Sequence, residues 1–320
     1  MSKKSDTKGR AYEYSCLMVL KKEISKVRRV KVEENKSYLN IKKAWNTLTE
    51  SEKNIYKISA LAAIKVIFEL EPLILEGSED ELILIIQSDE KGKDGDVRDI
   101  LIIRKDISWE IGISAKHNHF AVKHSRLSQK LDFGKKWYGI ECSEQYWEDV
   151  NPIFDYLEKE KKNGMKWKDL PSKEEQVYVP LLNAFKNEIN RQNKISGKNI
   201  PRLMIEYLLG KFDFYKIISI DDKRITRVQS YNLKGSLNKP TSNKNKINLP
   251  QTILPTRIIS LEYKPNSKTT LELYMDSGWQ FSFRIHNASE KVEPSLKFDI
   301  QIIGMPTTII SIDCNWSNKE

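Results

Sequence analysis

The sequence predicts a mixed α/β (α+β) protein, a core with flanking helices followed by a mainly β C-terminal region. Three observations predict it. Helical periodicity runs through the first seventy residues and stops at Pro72. Between residues 81 and 116 the period changes to short, β-branched, nearly continuous apolar runs. From residue 255 onward the chain is a series of short alternating segments, such as TLELYMD and WQFSFRIH.

The elements follow in order. Residues 9–30 place Tyr12, Cys16, Leu20 and Ile24 on one face of a helix. A second helix is expected over 37–48. A third covers 50–71, opened by Thr49 with Glu52 three residues on, which is the capping-box pattern. ELILIIQ (81–87), DILIIR (99–104) and WEIGISAK (109–116) read as strands covered on both faces, and the gap KDIS (105–108) has hairpin length. Helices return at 143–162, 173–193 and 201–209, and strands at 212–221 and 225–233. Residues 234–250, rich in Asn, Lys, Ser and Pro, read as a mobile loop. The expected division is a core with its N-terminal helices over 1–200 and a mostly β region, the expected recognition part, over 201–320.

The composition bounds the function. Apolar residues make up 39% and charged residues 31%, enough for a real core under a charged surface, so collagen-like, disulfide-scaffold and wholly disordered readings are out. No apolar run is long enough to cross a bilayer, and no signal-peptide core follows the basic N-terminus. Cys16, Cys142 and Cys314 are odd in number and far apart, so a reducing cytoplasm is expected. The net charge of +10 is concentrated. Residues 115–139 carry net +5 and residues 223–247 net +7, leaving the rest of the chain at −2. Two basic islands on a near-neutral body point to a polyanion.

The segment 91–119 carries the chemistry. With 105–108 as the turn, residue 104 faces 109, and Asp99 lies opposite Ser114 with Lys116 one diagonal away. A carboxylate and an ammonium then converge at the end of an apolar hairpin, where charges are costly unless paired or bound to a metal. A structural salt bridge is one reading. Phosphodiester hydrolysis is the other: the Asp holds Mg²⁺, and the Lys orients water or stabilises charge.

An acid before an apolar run, a turn, then a strand ending in Lys resembles the PD-(D/E)xK nuclease core. GRAYEY, GDVRDILIIR, WEIGISAKHNHFAVKHSRLS, DFGKKW, IEYLLGKFDFYK and YNLKGSLN together resemble the HaeIII-type restriction endonucleases over most of the chain. The resemblance implies a type II enzyme, cutting both strands of DNA at GGCC with Mg²⁺, alongside a cognate methyltransferase. A palindromic site implies a homodimer, although a monomer cutting each strand in turn fits as well. The chain departs from the superfamily pattern at Ser114, where an acid would stand two residues before Lys116. Glu110 shares the strand face but lies about 20 Å along a straight strand from Lys116. Glu13, Asp96 and Glu141 are the other candidates for a displaced acid; Glu13 is attractive because related nucleases carry a helical Glu facing the metal.

The remaining candidates bind DNA. His117, Asn118, His119, Lys123, His124 and Arg126 continue from the strand towards the duplex, and Lys135 and Lys136 are suited to a backbone contact. HNH at 117–119 lacks the wide spacing of a ββα-metal motif, and a zinc site from His117, His119 and His124 lacks a fourth ligand. Arg224, Arg227, Gln229, Asn232 and Lys234 alternate along a strand and loop in the more basic island, suited either to guanine edges or to phosphates. Two rivals remain: a non-catalytic DNA-binding protein, and a structure-specific repair nuclease of the same fold.

Overall fold

A computed structural model of the chain describes residues 3–77, 80–88, 95–120, 122–123, 125–196, 199–241 and 247–317, with side chains from Thr7 onward. In chain order the elements are α1 (Lys3–Ile24), β1 (Val30–Glu33), α2 (Lys36–Asn46), α3 (Glu50–Leu70), β2 (Leu82–Ile86), β3 (Ile100–Arg104), β4 (Trp109–His117) and β5 (Arg126–Leu127). They continue with α4 (Phe133–Tyr138), α5 (Glu144–Lys162), α6 (Val179–Ser196), α7 (Asn199–Leu209), β6 (Phe214–Ile220) and β7 (Ile225–Tyr231). The last are β8 (Ile258–Tyr263), β9 (Thr270–Met275), β10 (Gln280–His286), β11 (Leu296–Gly304) and β12 (Ser311–Asn315). The expected capping box is present: Thr49 Oγ accepts from the Glu52 amide, and the Glu52 carboxylate accepts from the Thr49 amide. This satisfies two of the orphan donors at the start of α3. Among the described residues no helix is long and apolar enough to cross a membrane.

The chain forms two compact units. The first comprises Met1–Phe120, Lys211–Ile253 and Thr307–Glu320. It holds a seven-stranded sheet in the order β1-β2-β3-β4-β6-β7-β12. The pairs β1–β2 and β4–β6 are parallel and the other neighbours antiparallel. Paired residues point to the same side of a sheet. Ile86, Ile100, Ile113, Tyr215 and Val228 therefore share one face, and they are buried in a core with Tyr12, Leu17, Tyr38, Tyr56 and Ile64 of α1–α3. Ser114, Lys116 and Lys216 alternate with these residues and point to the other face of the sheet.

The second unit comprises Ala121–Gly210 and Leu254–Pro306. Its five-stranded antiparallel sheet runs β5-β11-β10-β9-β8, and it contains α4–α7. An aromatic core of Phe133, Trp137, Phe185, Phe283 and Phe298 fills it, with ring centroids 4.8–6.5 Å apart. The expected cut near residue 200 follows chain order, whereas the contacts follow strand pairing. β6, β7 and β12 join the N-terminal sheet, and α4–α7 join the C-terminal one.

Candidate active site

The hairpin of β3 and β4 sets the site. A short 3₁₀ turn at Lys105–Ile107 ends in Ser108 at φ +50°, and the register that follows pairs Arg104 with Trp109 and Ile100 with Ile113. The Asp99 amide continues that ladder to the Ile113 carbonyl at 2.8 Å, which brings the Asp99 side chain beside Ser114. Asp99 Oδ2 accepts three hydrogen bonds: from Ser114 Oγ at 3.1 Å, the Ala115 amide at 2.7 Å and Lys116 Nζ at 2.9 Å. Among the described residues none bonds Oδ1. The Asp99 and Lys116 side chains are 22% and 29% exposed, so the pair is open to a ligand.

A second lysine joins them. Ser114 pairs with Lys216 on β6, Lys216 with Gln229 on β7, and Gln229 with Ser311 on β12. Asp99, Ser114, Lys216, Gln229 and Ser311 thus form one polar row across five strands of the sheet. Lys216 is 5% exposed, and its Nζ donates to the Phe120 carbonyl at 3.3 Å. Burial, and then the Lys116 ammonium, push Lys216 down to about 7 against the opposing pull of Asp99. Sequence reading missed this residue. Its one signal is a lysine in the middle of the apolar run FYKIISI.

The proposed acids are placed differently from one another. Arg98 takes both Asp96 and Glu110. It reaches Asp96 Oδ1 through Nε at 2.8 Å, Asp96 Oδ2 through Nη2 at 2.7 Å and Glu110 Oε1 through Nη1 at 2.7 Å. Burial would raise the Asp96 carboxyl, but the bonds from Arg98 and Gln87 outweigh it and hold it below the usual range. Arg98 crosses the backbone of β4 at Gly112, and its guanidinium lies 4.2 Å from the centre of the Phe212 ring. Glu141 belongs to the second unit and pairs there with Lys135 at 2.7 Å. Glu13 lies on α1, which packs against β4. One turn further on, the buried Cys16 thiol is raised by burial first, and the Glu13 and Asp99 carboxylates add to it.

The donor set fits a single oxygen-bound divalent cation. Mg²⁺ is held by one or two carboxylates completed by water and substrate phosphate. Asp99 Oδ1 would meet that need; Glu13 lies on α1, which covers the opposite face of the sheet, although the Cys16 thiol feels both carboxylates. Among the described residues no group of three or more His, Cys, Asp or Glu is assembled.

The residues after Lys116 turn to the other face. His117 Nε2 is 2.8 Å from Asp221 Oδ2, its Nδ1 is 3.4 Å from Tyr56 Oη, and its ring lies 4.5 Å from that of Tyr56. Asn118, at φ +48°, accepts the Asp221 amide on Oδ1. These two residues bind the end of β4 to the chain after β6, and His119 is half-buried beyond them. His124 lies outside the described residues.

In the second unit Lys123 donates to the Tyr207 carbonyl at 2.6 Å, with Nζ 3.9 Å from that ring's centre. Burial first, then the charge of Lys136, push it down to about 8. Arg126, Lys135 and Lys136 are exposed. In the 223–247 island Arg224 and Lys234 are exposed. Arg227 forms a bidentate pair with Asp313 at 2.7 and 2.9 Å. Gln229 and Asn232 are buried; Asn232 accepts the Leu237 amide and donates to the Pro250 carbonyl, tying down the loop that follows β7. Lys244 and Lys246 lie outside the described residues.

Comparison with known proteins bears on this geometry. A family described as HaeIII restriction endonuclease matches residues 9–306. The type II restriction enzyme HaeIII of Haemophilus aegyptius is 52% identical over 317 residues, covering 99% of each chain. No solved structure matches.

Proposed function

Since the chain belongs to the HaeIII restriction endonuclease family and is a type II site-specific deoxyribonuclease, we propose that Asp99 and Lys116 form its hydrolytic centre, with Mg²⁺ held at Asp99 and GGCC as the site. The observation that carries this reading is the convergence of Ser114 Oγ, the Ala115 amide and Lys116 Nζ on a single oxygen of Asp99. Those bonds fix the carboxylate while its second oxygen stays available. Glu13 is the proposed second carboxylate. Asp96 and Glu110, both bound to Arg98, are left as supports of the strand rather than as acids.

When bound, Mg²⁺ supplies Lewis-acid polarisation of a phosphoryl oxygen and a water of lowered pKa. Lys116 would orient the attacking water and stabilise charge on the phosphate, at the cost of loosening its bond to Asp99. The exposed cations Arg126, Lys135, Lys136, Arg224 and Lys234 are proposed phosphate or guanine contacts. His119 is placed with them as a neighbour of the centre. His117, Lys123, Gln229 and Asn232 are held within the fold by their own hydrogen bonds, Asn118 binds the Asp221 amide, and Lys135 and Arg227 already pair with Glu141 and Asp313. A homodimer on the palindrome gives each strand one centre, and a methyltransferase marking the same site is the functional partner that protects host DNA. The compartment that fits is the cytoplasm, where the free Cys16, Cys142 and Cys314 stay reduced.

The test is digestion of plasmid DNA in Mg²⁺ by wild type, Asp99→Ala and Lys116→Ala, with duplex binding measured in Ca²⁺. Discrete fragments are expected from wild type and none from Asp99→Ala, while Lys116→Ala slows single-turnover cutting by ~10² or more. Binding should be retained in both variants. A smear from wild type would point to a structure-specific nuclease instead. For the site, unmethylated GGCC should be cut, while GGCC-methylated DNA and a GGCC-free plasmid should survive. A cytosine C5 methyl projects into the major groove that must be read. Discrete cuts in the GGCC-free plasmid would leave the centre standing and remove the specificity.

A further inference from the structure

We propose that Lys216 is a positioning residue of this centre: in register beside Ser114, it holds the Lys116 ammonium over Asp99 and fixes the chain that leaves the catalytic strand. The inference rests on the reading of Asp99 and Lys116 as the hydrolytic centre.

The register carries it. Position 114 is where the superfamily pattern would place an acid, and here it holds a serine. Its partner across the parallel β4–β6 pair is Lys216. The row therefore has one carboxylate and one lysine, and Lys116 lies two residues further along β4 on the same face. Lys116 rests on Asp99 Oδ2, and Lys216, in the fraction of molecules where it carries its proton, opposes a swing of Lys116 over β6, because like charges repel strongly where water is excluded. The bond from Lys216 to the Phe120 carbonyl anchors a residue four positions after Lys116, so both sides of that lysine are held.

The burial of Lys216 is poorly repaid by the protein itself. A buried ammonium offers three donors, and among the described residues Lys216 bonds only the Phe120 carbonyl, at 3.3 Å. Buried charges are kept where they are paired, and a buried lysine that lowers stability beside a reaction centre is better explained by the reaction than by the fold. A structural lysine and a positioning lysine therefore predict opposite outcomes on removal. An apolar isostere should leave the fold as stable or more so, because replacing a buried charge by a packed apolar group of similar volume is neutral or stabilising. Cutting should still fail, since a misplacement of about 1 Å at a reacting group costs ~10²-fold in rate.

The experiment compares Lys216→Met and Lys216→Arg with wild type and Asp99→Ala. The readouts are the single-turnover rate in Mg²⁺, duplex binding in Ca²⁺ and the melting temperature. Lys216→Met should melt at or above the wild-type temperature, bind within about threefold of wild type and cut ~10²-fold more slowly, and Lys216→Arg should recover at least ~10-fold of that loss. Should Lys216→Met not fold, Lys216→Gln is read in the same way. Cutting within about threefold of wild type, a joint loss of melting temperature and binding, or an arginine variant no better than methionine would overturn the proposal. Asp99→Ala keeps the two readings apart. If it cuts normally, the centre lies elsewhere and the Lys216 inference falls with it. If it is dead while Lys216→Met cuts normally, the centre stands and only Lys216 is removed.

Discussion

Asp99 and Glu71 differ both in burial and in their donors. Asp99 meets a full positive charge in Lys116. Glu71, at the end of α3, receives two neutral donors on Oε1, the Tyr215 hydroxyl at 2.7 Å and the Asn238 amide at 2.6 Å, and among the described residues none bonds its buried Oε2. Burial raises the Glu71 carboxyl to about 7, against the smaller pull of those donors. A carboxyl raised on folding binds more protons in the native state than in the unfolded chain. Its contribution is fully present below the unfolded value of 4.5 and lost as pH rises through about 7. The difference across that window is roughly 3 kcal/mol, an order-of-magnitude figure. Glu71→Gln keeps an acceptor for Tyr215 and Asn238 but cannot ionise, so its urea midpoint should change less than the wild type's between pH 5 and pH 8. An unchanged slope would mean that other groups carry this pH dependence.

The β3–β4 hairpin depends on one glycine. A Cβ on Gly112 would lie 2.0 Å from Arg98 Cδ and 2.8 Å from Arg98 Cβ. Arg98 cannot step aside cheaply, because its guanidinium is held by Asp96, Glu110 and the Phe212 face. Gly112→Ala should therefore cost ~2 kcal/mol or more in urea unfolding. Arg98→Ala should cost a similar amount, and the double variant less than the sum, since both changes break the same packing. Strict additivity would show that the clash is relieved elsewhere. The hairpin is also the part of the site that the sequence makes legible. A four-residue turn fixes an antiparallel register, and the register places Asp99, Ser114 and Lys116 without further information. Lys216 is not legible in that way. Its neighbour, Ser114, comes from a parallel pairing between strands far apart in the chain, and no local turn sets that register. The same limit hid the fate of Asp96 and Glu110: GDVRD reads as a run of candidate acids until the fold shows that Arg98 binds them. It also hid the two units, because the strands at 214–231 look like the start of a C-terminal region and pair with the N-terminal sheet.

At the scale of the whole molecule, charge alone does not mark the interface. Arg224 and Arg227 stand in one basic island, yet Arg227 is already neutralised by a bidentate bond to Asp313, while Arg224 is exposed near Trp316. Arg224→Gln should weaken DNA binding and lower the slope of log affinity against log salt by about one if it touches a phosphate. Arg227→Gln should change that slope less, because its charge is compensated in the free protein. Equal effects would mean that Asp313 is displaced when DNA binds. The parallel pairing of β4 with β6 also sets a clock for synthesis. The chain between them, 118–213, contains most of the second unit, so the hairpin bearing Asp99 and Lys116 leaves the ribosome with one edge bare. At about 5–20 residues per second, roughly 5–20 s separate the making of Lys116 from the making of Lys216. Throughout that interval the nascent chain has no β6 to complete its sheet, and an enzyme that cuts DNA is born with its proposed centre unfinished.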